Sequence, residues 1–179
     1  SSDVCSSDLG HSFGALTAVE SATDADVDAV VAYEPAVLPE DYRRTADLAT
    51  RMQALLDDGE RRASVKRYIE QVLHPDGIDD LDAWLVEWPV WPDCVELAEE
   101  VVRMNRAVEQ YQIPDQLDVD APVVVLTGTD GPDFLRRGAR AVHDALPHSR
   151  LVEFDGVSHG GPSEAPALVA AEMEAFLHG

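Results

Sequence analysis

Gly10-His11-Ser12-Phe13-Gly14, followed at once by Ala15-Leu16-Thr17-Ala18-Val19-Glu20-Ser21, is the stretch on which the reading of this chain turns. A serine on a sharp strand-to-helix turn needs small neighbours, because its backbone is strained and adjacent chain passes close by. The five residues fit such a turn, and the small and apolar run from Phe13 to Ser21 predicts a short buried helix behind it. The pattern alone is weak: three fixed residues of ordinary frequency recur by chance in about one chain in twenty of this length. Its weight comes from what surrounds it.

Downstream, Val27–Val37 (VDAVVAYEPAV) is a valine-rich run of the kind that forms a strand buried on both faces, with Pro35 ending the pairing. The same rhythm returns late in the chain. Ala121–Thr127 (APVVVLT) reads as a strand ending in the turn GTDGP, Phe134–Leu146 as an amphipathic helix stopped by Pro147, and Arg150–Phe154 as another strand. The loop DGVSHGG follows, and then a last helix that Ser163 is placed to cap. Between these halves, residues 38–117 carry helical spacing, as in Leu48, Met52, Leu55 and in Val65, Ile69, Val72. Asp93 with Glu96 is the expected opening of a helix reaching Tyr111. Strands alternating with helices predict an α/β fold, a parallel sheet covered by helices, with core segments 10–37 and 118–179 and a helical insertion over 38–117.

Residues 1–9 (SSDVCSSDL) do not fit that scheme. They repeat Ser-Ser-Asp, hold too few apolar residues for a buried strand, and lack the basic and apolar regions of a signal peptide. They read as a non-native leader, so the strand that should precede the serine turn is expected to be missing, and the chain reads as the C-terminal part of a larger domain. Composition narrows the function. With 35 acidic and 13 basic side chains the formal charge is −22, which repels nucleic acid and anionic lipid. No apolar run approaches the ~20 residues that span a bilayer. Cys5 and Cys94 make neither a disulfide framework nor a metal-site spacing. The expectation is a cytoplasmic protein with a small-molecule substrate, no metal and no cofactor.

A serine hydroxyl becomes a useful nucleophile only when a base removes its proton, and histidine suits that task at neutral pH. His159, in a glycine-flanked loop after a strand, is the candidate; the other five histidines have blander settings, His11 lying within the serine turn. A carboxylate at a strand end should orient the imidazole. Asp130 qualifies and leads, because it gives the chain order Ser-Asp-His; Glu34, in AYEP, is the alternative acid. Trp84, Trp88 and Trp91, with His11, are candidates to line a substrate pocket, although residues at helical spacing more often hold helices together, and packing is the favoured reading of the tryptophans.

Taken in order, GHSFG, the YEP strand end, the helical stretch, PVVVLTGTDGP and FDGVSHGG with its final helix resemble an α/β-hydrolase from Gly10 to Gly179. The resemblance implies that Ser12 is the nucleophile, His159 the base, and the N–H of Phe13 one oxyanion donor. Many members place the acid three residues after the glycine corresponding to Gly128, where this chain has Gly131, and some draw it from the preceding strand, as Glu34 would be. The family's early strands and second oxyanion loop have no counterpart here, and the helical stretch corresponds to its lid. The implied function is a serine hydrolase acting on an ester or related carbonyl compound. A non-catalytic module that binds a small ligand on the same scaffold is the alternative.

Overall fold

The computed structural model describes residues 7–75 and 77–179. They fall into two compact units, one running to Glu40 and resuming over Gln112–Gly179, the other Asp41–Tyr111. In the first, β1 (Ser7–His11), α1 (Phe13–Ser21) and β2 (Ala29–Tyr33) make one β–α–β segment.

The second unit is helical: α2 (Glu40–Arg43) leads to α3 (Leu48–Asp57), then α4 (Arg61–Tyr68) running into a π-helical turn, Ile69–Leu73. It continues as α5 (Leu81–Glu87), α6 (Trp91–Glu96) and α7 (Ala98–Gln110). The first unit resumes with β3 (Val123–Gly128), α8 (Asp133–Ala145), β4 (Ser149–Phe154), α9 (Gly161–Glu164) and α10 (Pro166–His178).

The four strands form one parallel sheet in the order β1-β2-β3-β4. All residues of β2 and β3 are buried, which is why their valines need no polar alternation. Each fully buried valine contributes about 1.5–3 kcal/mol relative to an exposed one. One face, with Val31, Tyr33, Val124 and Leu126, packs with Phe154 and Val157 against Val169 of α10. Successive crossovers of one hand place α1 and α8 together on the opposite face. The parallel register aligns His11 with Tyr33, Tyr33 with Leu126, and Gly128 with Phe154, so all four strands end along one edge.

The strand before the serine turn is present, contrary to the sequence expectation. Ser7–His11 pairs in parallel with β2, from Ser7 opposite Ala29 to His11 opposite Tyr33. Residues 1–6 lie outside the described residues. The apolar rule failed because β1 pairs on one side only among the described strands, and its Leu9 is 57% exposed. A strand there needs backbone partners rather than two apolar faces. β2 accordingly has neighbours on both sides.

Two helix starts also differ. Asp93 does not open its helix: Trp91 does, with Pro92 in the first turn, and a separate helix begins at Ala98. Ser163 lies inside the short α9, and α10 starts at Pro166. Proline at a first turn sacrifices an N–H the helix leaves unused anyway, so it displaces the side-chain cap.

The helical unit has its own core of Val65, Ile69, Leu85, Trp91 and Ala98, beside a cluster of Leu48, Met52 and Val102. The buried Ser64 hydroxyl donates to the Met52 carbonyl at 3.0 Å, tying α4 to α3. Trp84 and Trp88 stack at 5.2 Å between ring centroids and pack against this core, and Trp91 is 4% exposed. The tryptophans thus take part in helix packing within this unit.

Candidate active site

The row of strand ends carries the candidate residues. Ser12 follows β1 directly and has φ 57° and ψ −120°, a conformation that residues with a Cβ rarely adopt. The surrounding backbone holds it there. Its N–H donates to the Tyr33 carbonyl at 2.9 Å, and its carbonyl accepts from the N–H groups of Ala15, Leu16 and Ala36. Phe13 opens α1, so its N–H is among the first-turn donors that a helix leaves unpaired.

The two glycines of the motif are not equivalent. A Cβ on Gly10 would lie 2.3 Å from the Gly14 carbonyl oxygen and 2.5 Å from the Ala15 backbone, whereas one on Gly14 would meet nothing within 4 Å. Gly10→Ala is therefore expected to destabilise the fold by about 3 kcal/mol or more, since rigid backbone must move. Gly14→Ala, in an exposed helical position, should be neutral or stabilising by about 0.5–1 kcal/mol. Urea unfolding of both variants tests this; equal losses would overturn the assignment of the close approach to Gly10.

Glu34 is the residue after β2. It is fully buried and is, with Ser12, one of the two non-glycine residues with positive φ among those described, at 43°. Strain of this kind costs energy and persists where surrounding structure enforces it, as at functional sites. Its Oε1 accepts from the Thr127 hydroxyl at 2.7 Å and the Gly128 N–H at 3.1 Å. Its Oε2 lies 2.6 Å from Nδ1 of the buried His159. Burial works to raise the Glu34 carboxyl; the hydrogen bonds from His159, Gly128 and Thr127 outweigh it, and the group is held below its ordinary value of 4.5.

That shift has a sign. A depressed pKa in the folded state supplies stability that is fully present above the ordinary value and lost as pH falls through the folded one. The stability difference between the wild-type protein and Glu34→Gln should be constant above pH 4.5 and shrink below it. Denaturant titrations across that range check the prediction; a constant difference down to the acid limit would contradict it.

Asp130 does not join this pair. Its N–H donates to the Val157 carbonyl at 3.0 Å, and its carboxylate takes the Thr129 hydroxyl at 3.3 Å. The expectation that Asp130 leads as the partner of His159 is corrected: the residue in contact is Glu34. Geometry decides it, because Gly131, not a carboxylate, occupies the spot beside His159. A Cβ there would be 3.3 Å from both Glu34 Oε1 and the His159 backbone nitrogen.

His11 ends β1 and keeps part of its ring exposed. Its Nε2 lies 2.9 Å from the His159 carbonyl oxygen, and its ring centroid is 4.5 Å from that of His159. Tyr33, buried at the end of β2, donates its hydroxyl to the Ser158 carbonyl at 2.7 Å. Burial, then Glu34 and Glu164, push the Tyr33 phenol well above its ordinary range, so it remains a donor. Glu164 in turn accepts from the Ser158 hydroxyl at 2.7 Å. Among the described residues no group of three histidine, cysteine, aspartate or glutamate side chains could hold a metal ion, and no helix is long and apolar enough to cross a membrane.

Residues 9–172 match the model of the alpha/beta hydrolase family. The chain belongs to that family. Solved alpha/beta hydrolases agree with the fold. One from Sphaerobacter thermophilus superposes with a TM-score of 0.76 at 25% identity, over 94% of this chain and 66% of that one. MGS-M2, an alpha/beta hydrolase enzyme from a Medee basin deep-sea metagenome library, gives 0.73 at 16% identity, over 99% and 66%. The 2-hydroxy-6-oxo-6-phenylhexa-2,4-dienoate hydrolase of a Rhodococcus strain gives 0.59 at 17%, over 96% and 63%. The chain thus spans just under two thirds of the length of these structures. No curated protein matches it.

For this alpha/beta hydrolase, sequence reasoning does not single out Tyr33, Thr127, Gly128 or Glu164. A usable signal exists for three of them. Tyr33 closes β2 with Glu34 next after it, and Thr127-Gly128 close the adjacent parallel β3, where side chains and N–H groups converge. Glu164 belongs to a turn formed after the loop, and no spacing rule points to it.

Proposed function

We propose that the protein is a serine hydrolase that cleaves an ester or related carbonyl substrate through an acyl-enzyme on Ser12. The observation that carries this is the buried Glu34–His159 contact of 2.6 Å, in the same row of strand ends as the strained Ser12. With Nδ1 donating to Glu34, His159 has Nε2 free to accept a proton. It takes the Ser12 proton as the oxygen attacks the carbonyl, then returns it to the leaving group. Glu34 fixes the tautomer and stabilises the imidazolium. The Phe13 N–H faces the developing oxyanion, and water completes the cycle by hydrolysing the acyl-enzyme. The helical unit is read as the counterpart of the family's lid. The substrate is a small molecule, and the acidic, cysteine-poor composition fits a cytoplasmic setting.

A fluorophosphonate probe tests the reading. Covalent labelling at neutral pH that disappears in Ser12→Ala is the expected result. A folded protein that is not labelled would overturn it and leave a small-ligand-binding module on the same scaffold.

A further inference from the structure

Within the serine turn, the His11 side chain reaches the histidine loop. Two consecutive carbonyls of that loop are gripped from adjacent strand ends: Ser158 O by the Tyr33 hydroxyl at 2.7 Å, and His159 O by His11 Nε2 at 2.9 Å. The His11 ring stands edge-on to Tyr33, with centroids 5.6 Å apart, and tilted over the His159 ring at 4.5 Å. A carbonyl oxygen only accepts, so Nε2 of His11 carries the hydrogen. A loop between β4 and α9 has no ladder of its own; the Asp130 N–H on the Val157 carbonyl and Glu164 on Ser158 hold it, and these two side chains add a grip on the Ser158 and His159 carbonyls.

We propose that His11 is a positioning residue, which as its Nε2–H form clamps the His159 backbone and so aims the imidazole between Ser12 and Glu34. The inference rests on the serine-hydrolase reading and assigns His11 a role distinct from pocket lining. Burial, then the neighbouring His159, lower the His11 pKa against the opposing pull of its own hydrogen bond and of Glu34, so the ring is neutral at neutral pH. The groups facing it are Tyr33 from β2, His159 from the loop and Glu34 beyond. A neutral clamp suits its place, since it adds no second positive charge beside the imidazolium formed in turnover.

The test compares His11→Phe, which keeps a ring but no donor, with His11→Gln, which keeps a donor. Misplacing a catalytic group by about 1 Å costs on the order of 10²-fold. His11→Phe should therefore lower kcat by about 10²-fold with KM little changed, and His11→Gln should recover most of it. Solvent exchange of the His159 Nδ1 proton, read by NMR in the same variants, reports the clamp without any chemistry. It should quicken in His11→Phe and stay near wild type in His11→Gln. Unchanged exchange in His11→Phe, or equal effects of the two variants, overturns the proposal. If the wild type shows no Ser12-dependent labelling while exchange still separates the variants, the hydrolase reading fails and the clamp stands.

Discussion

Ser12→Ala is expected to lower turnover of an ester substrate by about 10⁶-fold, with kcat and kcat/KM falling together. The size follows from what is removed. On the proposed mechanism no acyl-enzyme forms without the hydroxyl, and His159 and Glu34 have nothing to activate, so the single change should cost about as much as loss of all three groups. The fold should not suffer. Serine and alanine both carry a Cβ at φ 57°, so the backbone penalty is nearly the same before and after. The contacts that impose it come from the Ser12 N–H and carbonyl, not its side chain. Steady-state kinetics with an unchanged melting temperature check this, and residual turnover within about tenfold of wild type would place the nucleophile elsewhere.

Glu34→Gln is expected to cost about 10⁴-fold in kcat with little change in overall geometry. The cause is the tautomer of His159. Oε1 of Glu34 accepts from the Gly128 N–H, a backbone donor that cannot turn round, and from the Thr127 hydroxyl. A glutamine must keep its carbonyl oxygen toward Gly128, which turns its amide N–H toward His159 Nδ1. Nδ1 then has to accept, the proton moves to Nε2, and the nitrogen that should take the Ser12 proton is occupied. Asp130→Asn disturbs only the Thr129 hydroxyl contact and should leave kcat within about threefold of wild type, the scale of a surface change. The opposite ranking of the two variants would return the acid to Asp130.

How far the sequence alone carries can be seen residue by residue. The helix behind the serine turn is predicted over Phe13–Ser21 and observed there. The three valine-rich and apolar runs all coincide with strands: β2 is shorter than the Val27–Val37 run because it ends at Tyr33, before Pro35, and β3 and β4 each reach one residue beyond their runs, to Gly128 and Ser149. Periodicity works where burial is two-sided or amphipathic. It fails for β1, a strand held by backbone pairing on one side. It fails again in the helical stretch, where prolines rather than side-chain caps begin α6. The contact between Glu34 and His159 joins residues far apart in the chain, and chain order favoured Asp130. What selects Glu34 is its positive φ and the donors at the end of β3, and neither has a local sequence signature.

The chain places Ser12 and Glu34 within one β–α–β segment and returns to the same sheet edge with His159 only after the helical unit. Two of the three residues are thus in place before that unit begins. Exchanging the unit for one of another length leaves the Ser12-to-Glu34 spacing untouched, because both are set by β1 pairing with β2. Only β3, the first strand after the unit, must find its register again, against β2, and β4 with the histidine loop follows it. The scaffold is modular in that sense: chimaeras that swap the segment between Glu40 and Gln112 keep Ser12, Glu34 and His159 on the flanking segments.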